Sequence, residues 1–185
     1  MNALVIIDML NGFCRPGFPL SLPGSTTRLE SYVAERIEAS LEVGDMVIFV
    51  CDSHKMDDPE IGRPYPIHCL EGTSEARIID SLQKFEKHSI ILAKRTLSIF
   101  LGTGLESVLE KARPEVVEVT GVCTDICDLF AVYELRIRGY SVFVSQDGVL
   151  ALHPEEQVPT LQYMESHLGA RVEYAHAIGR GEDRG

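Results

Sequence analysis

Basic residues are scarce in this chain of 185 residues: 17 Lys and Arg stand against 28 Asp and Glu, a formal charge of −11 with histidine neutral. That deficit argues against a nucleic-acid backbone or an anionic membrane as the main partner, because both need a cationic surface. Long apolar runs are missing too. The longest, such as Ala3–Ile7 and Met46–Cys51, fall far short of the ~20 residues that span a bilayer. The opening Met-Asn-Ala-Leu has neither the basic stretch nor the cleavable apolar segment of a signal peptide. An even cysteine set is lacking as well. Cys14, Cys51, Cys69, Cys123 and Cys127 are five, which reads as free thiols in a reducing compartment rather than a disulfide framework. The expectation is a cytoplasmic protein.

What is present alternates. Ala3–Asp8, Met46–Asp52, Ser89–Lys94, Val116–Thr120 and Ser141–Ser145 are short runs rich in β-branched residues, and Arg171–Tyr174 is a weaker sixth. Apolar residues on both faces suit parallel strands covered by helices on both sides. Between them the pattern predicts helices from Ser25 or Thr26 to Glu42, from Ser74 to about Phe85, over Leu105–Ala112, Asp125–Arg138 and Pro154–Leu168. The fold expected is an α/β three-layer αβα sandwich around a mostly parallel sheet of about six strands. Residues 1–178 make one domain, with a polar tail over 179–185 (GRGEDRG).

In such folds ligands bind beyond the carboxyl ends of the strands. Asp8, Asp52, Lys94 and the Gly121–Cys127 turn therefore project toward one edge. A carboxylate and an ammonium meeting there can pair, and a partly buried pair tends to be kept where it serves a site. In Gly121-Val122-Cys123-Thr124-Asp125-Ile126-Cys127 a cysteine in the first turn of a helix is biased toward thiolate, and unpaired N–H groups there can hold an oxyanion. Spacing alone does not choose between Cys123 and Cys127. Asp52-Ser53-His54 places Asp52 and His54 on one side of an extended segment. Joined by His68, they form a donor set suited to Zn²⁺, Fe²⁺ or Mn²⁺. His88, His153, His167 and His176 lack a partner pattern and read as structural or surface residues.

Together, a strand ending in Asp8, one ending in Lys94 and GVCTDIC at a strand-to-helix turn resemble the isochorismatase-like cysteine hydrolases. Within that superfamily the D-x-H and the YPIHCLEGT stretch look like the nicotinamidases. The resemblance implies Cys127 as nucleophile, Asp8 as proton acceptor and Lys94 as third member of the triad. It implies a cis peptide before Cys123, with the Cys123 and Cys127 N–H groups forming the oxyanion hole. It assigns one divalent ion, zinc first with iron or manganese as alternatives, to Asp52, His54 and His68. Relatives often add a histidine just after the D-x-H; here Glu60 is the preferred replacement, ahead of Asp57 and Asp58. Phe13 and Tyr65 would flank a flat pyridine ring.

The reaction so implied is nicotinamide + water → nicotinate + ammonia through a cysteine thioester, a step of NAD salvage. Amidohydrolysis of another small amide or carbamoyl compound is the alternative. Self-association suits the family, though the number of subunits is not set. Two positions depart from the family's D-x-Q-N-D-F pattern, which here reads Asp8-Met9-Leu10-Asn11-Gly12-Phe13. A second class, the response-regulator receiver, shares Asp8, Asp52 and Lys94 at strand ends. It expects an acid where Met9 stands and a proline where Arg95 stands, and it leaves GVCTDIC and His68 unexplained.

Overall fold

The computed structural model describes residues 1–174; the expected boundary at 178, the tail 179–185 and His176 lie outside them. The elements run β1 (Ala3–Ile7), α1 (Asn11–Cys14), α2 (Thr27–Glu42), β2 (Met46–Asp52), α3 (Asp80–Gln83), β3 (Ile90–Lys94), α4 (Leu105–Ala112), β4 (Val117–Val122), α5 (Leu129–Ile137), β5 (Val142–Leu150), α6 (Gln157–Ser166) and β6 (Arg171–Glu173). The six strands form one sheet in the order β3-β2-β1-β4-β5-β6. Every pairing is parallel.

Period-two alternation divides the core into two layers. Ala3, Val5, Ile7, Ile48 and Val50 face a cluster built with Leu105, Leu109, Ala131, Val132, Leu135, Leu161 and Met164 from α4, α5 and α6. Leu4, Ile6, Val47 and Phe49 face the other way, onto Leu29, Val33 and Ile37 of α2 and onto Ile79 and Leu82. Both faces of the central strands are therefore dry, as their apolar runs require. No helix among the described residues is long and apolar enough to cross a membrane.

The structure departs from the sequence pattern in three places. The helix expected over 74–85 shrinks to α3 and a single 3₁₀ turn, Glu86–His88. The backbone of 74–79 is engaged elsewhere: Arg77 and Glu75 carbonyls accept the Asn11 and Gly12 N–H groups at 2.9 Å each, and the Ile79 N–H donates to Met9 O at 3.1 Å. A segment spending its hydrogen bonds on the α1 region cannot close helical turns. Second, β3 is an edge strand with Ile91 and Ala93 exposed rather than covered on both faces. Third, β5 continues past Ser145 to Leu150, through a register shift opposite β4 between Val119 and Gly121.

Gly121 shows how closely the central strands approach. Its φ is +128°, and a Cβ there would lie 2.0 Å from the Ile7 carbonyl oxygen. Only glycine lets β4 pass β1 at the point where both chains leave the sheet.

Candidate active site

The strand order reverses between β1 and β4, the two central strands: the chain winds from β1 toward β2 and β3, and from β4 toward β5 and β6. A crevice opens at such a switch point, beyond the carboxyl ends of the strands. Asp8 leaves β1 there, and the turn Thr124–Asp128, one π-helical turn carrying Cys127, leaves β4. The Val122–Cys123 peptide is cis.

Asp8 sits at φ 51°, a left-handed conformation that aspartate tolerates better than most side chains. One of its oxygens accepts the Asp52 N–H at 2.7 Å. The other lies 2.8 Å from Lys94 Nζ, as an ion pair without hydrogen-bond alignment. Lys94 is opposite Asp52 in the β2–β3 register, so their side chains leave the sheet together. Its Nζ donates to Asp52 Oδ1 at 2.5 Å and lies 3.8 Å from Cys127 Sγ. Asp8, Asp52 and Cys127 each present an atom within 4.8 Å of the other two. The three side chains of the expected triad thus meet in one place, and Asp52 joins them.

Burial governs the protonation of this group. Asp8 is pushed up to about 6 by burial and by the Asp52 charge, against the pull of Lys94. A base poised near neutrality can both take and return a proton. Asp52 is held far below the usual carboxylate range, the Lys94 charge and the bonds from His54 and His68 outweighing its burial. Lys94 is held well above its ordinary value: two carboxylates outweigh the cost of burying it. Cys127 overturns one expectation. Burial pushes its thiol well above the ordinary value although Lys94 pulls the other way. Burial thus works against a free thiolate at this sulfur, whatever the local backbone dipoles favour. Asp128, next in the chain, is fully buried with both carboxyl oxygens unpartnered. Burial lifts it well above the usual range, and the Asp8 charge pushes the same way.

Asp52, His54 and His68 present ligand atoms within 4.8 Å of one another, all buried. Local pairing explains this. The His54 N–H donates to Cys69 O at 3.0 Å, and the Glu71 N–H donates to His54 O at 2.9 Å. That parallel bridge lays the two histidine segments side by side, with ring centroids 4.7 Å apart. Each ring uses Nδ1 outward: His68 toward Pro66 O at 2.8 Å, His54 toward Asp58 Oδ2 at 3.3 Å. Each leaves Nε2 toward Asp52, at 3.3 Å from His54 and 3.5 Å from His68. One carboxylate and two imidazoles with outer partners already fixed are the donors a zinc-type ion takes, and the residues fit such an ion. Glu60 lines the same cleft, one oxygen accepting the Leu97 N–H at 2.8 Å.

The cleft, about 320 Å³ including its open mouth, is lined by Phe13, Tyr65, Asp52, Glu60, His68, Cys123 and Cys127. Sequence reasoning named all of these. It missed the apolar wall of Leu20, Leu97, Ile126 and Leu152; only the positions of Leu97 and Leu152, just past strand ends, hinted at it. It also missed the straps on the Thr124–Asp128 turn. Asp125 accepts the Leu152 N–H at 2.9 Å and pairs with His153 at 2.7 Å. Gln157 Oε1 accepts the Ala151 N–H at 2.7 Å and the Thr124 hydroxyl at 3.1 Å. Another groove, at the opposite edge of the sheet, is closed by the Arg36–Glu118 ion pair, and its lining holds no thiol or imidazole.

The two departures at 10 and 12 have packing reasons. Leu10 is buried in the second core cluster and bridges to Ile78. At Gly12 a Cβ would meet Glu75 Cγ at 2.6 Å and Cys69 Sγ at 2.7 Å. Gly12→Asp, which restores the residue usual in relatives, should therefore cost about 1–3 kcal/mol of folding stability, read from a lower midpoint of chemical denaturation. An unchanged midpoint would show that the space is not as tight as the packing indicates.

The isochorismatase domain model matches residues 2–175. Nicotinamidase 1 of Arabidopsis thaliana is 31% identical over 205 residues, covering 96% of this chain and 82% of the relative. The crystal structure of nicotinamidase PncA from Bacillus subtilis superposes with a TM-score of 0.87 at 30% identity, over 93% of this chain and 98% of that one. The pyrazinamidase of Pyrococcus horikoshii, solved in complex with zinc, gives a TM-score of 0.82 at 26% identity, over 94% and 99% of the two chains. The family model spans the whole sheet and the residues at its switch-point crevice, and the chain belongs to the isochorismatase family.

Proposed function

We propose that this protein is a nicotinamidase, hydrolysing nicotinamide to nicotinate and ammonia through a thioester on Cys127. One observation carries the reading: Lys94 Nζ contacts Asp8, Asp52 and the Cys127 sulfur at once, so a thiol–acid–amine group and a metal-ligating group share a single cation. The relatives named nicotinamidase support the choice of substrate.

Cys127 Sγ attacks the amide carbon as Asp8 takes the thiol proton, and the carbonyl electron pair moves onto oxygen. The Cys123 and Cys127 N–H groups hold that oxyanion; a donor of this kind is typically worth ~3–4 kcal/mol. Asp8 returns the proton to nitrogen, the C–N bond breaks and ammonia leaves. Water then adds to the thioester with Asp8 as base, and C–S cleavage frees nicotinate and restores the thiol. Phe13 and Tyr65 line the cleft and would hold the ring by its faces and edges. Asp52, His54 and His68, with Glu60 as a further ligand, would hold one divalent ion, zinc first, which would supply Lewis-acid binding of the pyridine nitrogen, directly or through water. A cytoplasmic location, a place in NAD salvage, self-association and a single domain over 1–178 belong to the same reading.

Charge favours nicotinamide over amides that carry a carboxylate. Asp52 and Glu60 line the cleft, Asp8 lies buried close to Asp52 and Cys127, and Lys94 is already held between Asp8 and Asp52. Even with a divalent ion bound, the charges only balance, leaving no cation for a substrate's carboxylate. Ammonia release by the purified protein should show kcat/KM for nicotinamide at least about tenfold above that for maleamate, a difference of ~1.4 kcal/mol. Faster turnover of maleamate or of a carbamoyl compound would favour the alternative amidohydrolase.

A further inference from the structure

The two metal-facing histidines are oriented by unlike partners. His68 Nδ1 donates to a backbone carbonyl, Pro66 O, which the chain itself fixes. His54 Nδ1 instead meets a side chain, Asp58 Oδ2, at 3.3 Å. A carboxylate can only accept, so Asp58 engages the ring through an Nδ1 proton, which leaves Nε2, the nitrogen facing Asp52, as the ring atom available to an ion. Asp58 needs holding in turn. Its Oδ2 also accepts the Lys55 N–H at 2.8 Å and Arg95 Nε at 3.2 Å, and its Oδ1 pairs with Arg95 Nη2. The Asp58 side chain is 3% exposed, against 86% for its neighbour Asp57. Arg95 follows Lys94 directly, so one strand end supplies both the triad's cation and the clamp on Asp58.

We propose that Asp58, clamped by Arg95, is a positioning residue that sets how tightly the Asp52–His54–His68 group binds a divalent ion. The proposal rests on the metal reading of that group. Asp58 lies on the Nδ1 side of His54, opposite the Nε2 that faces Asp52. It therefore acts through His54 and not as a ligand itself. Outer partners of this kind typically govern metal affinity by 10–100-fold, and the planar fork of Arg95 holds both carboxylate oxygens as a lysine would not.

The test is the zinc affinity of the metal-free full chain, measured by competition with a chromogenic chelator. Asp58→Asn should weaken binding about 10–100-fold. Arg95→Met and Arg95→Lys should each weaken it by about 3–10-fold, as the outer carboxylate loses its fork. Glu38→Gln, on α2 in a surface ion pair with Lys84, should bind as the unaltered chain does. A thermal midpoint of metal-free Arg95→Met close to that of the unaltered chain separates lost positioning from lost folding. Unaltered affinity in both Asp58→Asn and Arg95→Met overturns the proposal while leaving the metal site standing. Zinc binding that is absent in the unaltered chain, or indifferent to His54→Ala, overturns both. Should Asp58→Asn fail to fold, Arg95→Met, whose side chain is 46% exposed, carries the test alone.

Discussion

Cys127→Ser abolishes ammonia release from nicotinamide, by at least about 10⁴-fold in kcat, while Cys123→Ser keeps it within roughly tenfold, since an oxyanion-hole N–H is not removed with the side chain. The two sulfurs are four residues apart and both are buried, yet they pack in different core layers. Cys127 packs in the layer of α4, α5 and α6 and meets Lys94, whereas Cys123 packs in the layer of α2. Each thiol is pushed well above its ordinary value by burial. Lys94 is the strongest influence opposing that burial at Cys127, whereas the strongest charge acting on Cys123 is that of Asp128, which pushes the same way as burial. A serine at 127 keeps the shape but loses the acidity and polarisability that let Asp8 generate a nucleophile. Steady-state kinetics of both variants, with circular dichroism to confirm folding, settle the matter. Equal losses at the two positions would undo the assignment of Cys127.

Lys94→Met should lower folding stability by about 3–5 kcal/mol, the cost of stripping one partner from a buried ion group. Nothing else among its described contacts offers Asp8 and Asp52 a buried cation of that kind; the Nζ lies 2.8 Å from one and 2.5 Å from the other. Natural domains hold only ~5–15 kcal/mol in total, so the midpoint of chemical denaturation should fall markedly. Activity should fall about 10²–10⁴-fold for a second reason. Burial and the Asp52 charge already raise Asp8 to about 6 with Lys94 present. Without that ammonium Asp8 keeps its proton and cannot take the one on sulfur. Adding Asp52→Asn removes the like-charge neighbour and should recover part of the stability without recovering the activity. A Lys94→Met protein as resistant to denaturant as the unaltered chain would show that the three charges do not depend on one another.

The strands were legible because their signal is local. Ala3–Ile7 and Met46–Asp52 carry enough β-branched and apolar residues to declare a strand buried on both faces, and the structure gives both a paired strand on each side. The 74–85 stretch misled because its helical periodicity competes with hydrogen bonds to α1, partners more than sixty residues away in the chain, as in Asn11 Nδ2 to Ser74 O. Gly12 read as a lost polar group and is instead a position without room for a side chain. Asp58 read as a spare ligand because spacing places it near the D-x-H. Only its contact with Nδ1 rather than Nε2 tells an orienting carboxylate from a coordinating one.

By itself, then, the sequence determined which chemical groups stand at the ends of the strands, since alternation, turn residues and motif order are written within a few neighbours. The tertiary structure decided how those groups are charged and which of them touch. Lys94 reaches Asp52 across 42 residues of chain and Cys127 across 33. The upward push on that thiol follows from how much water the surrounding layers exclude. Contact and desolvation are properties of the packed whole, and no window of the chain contains them.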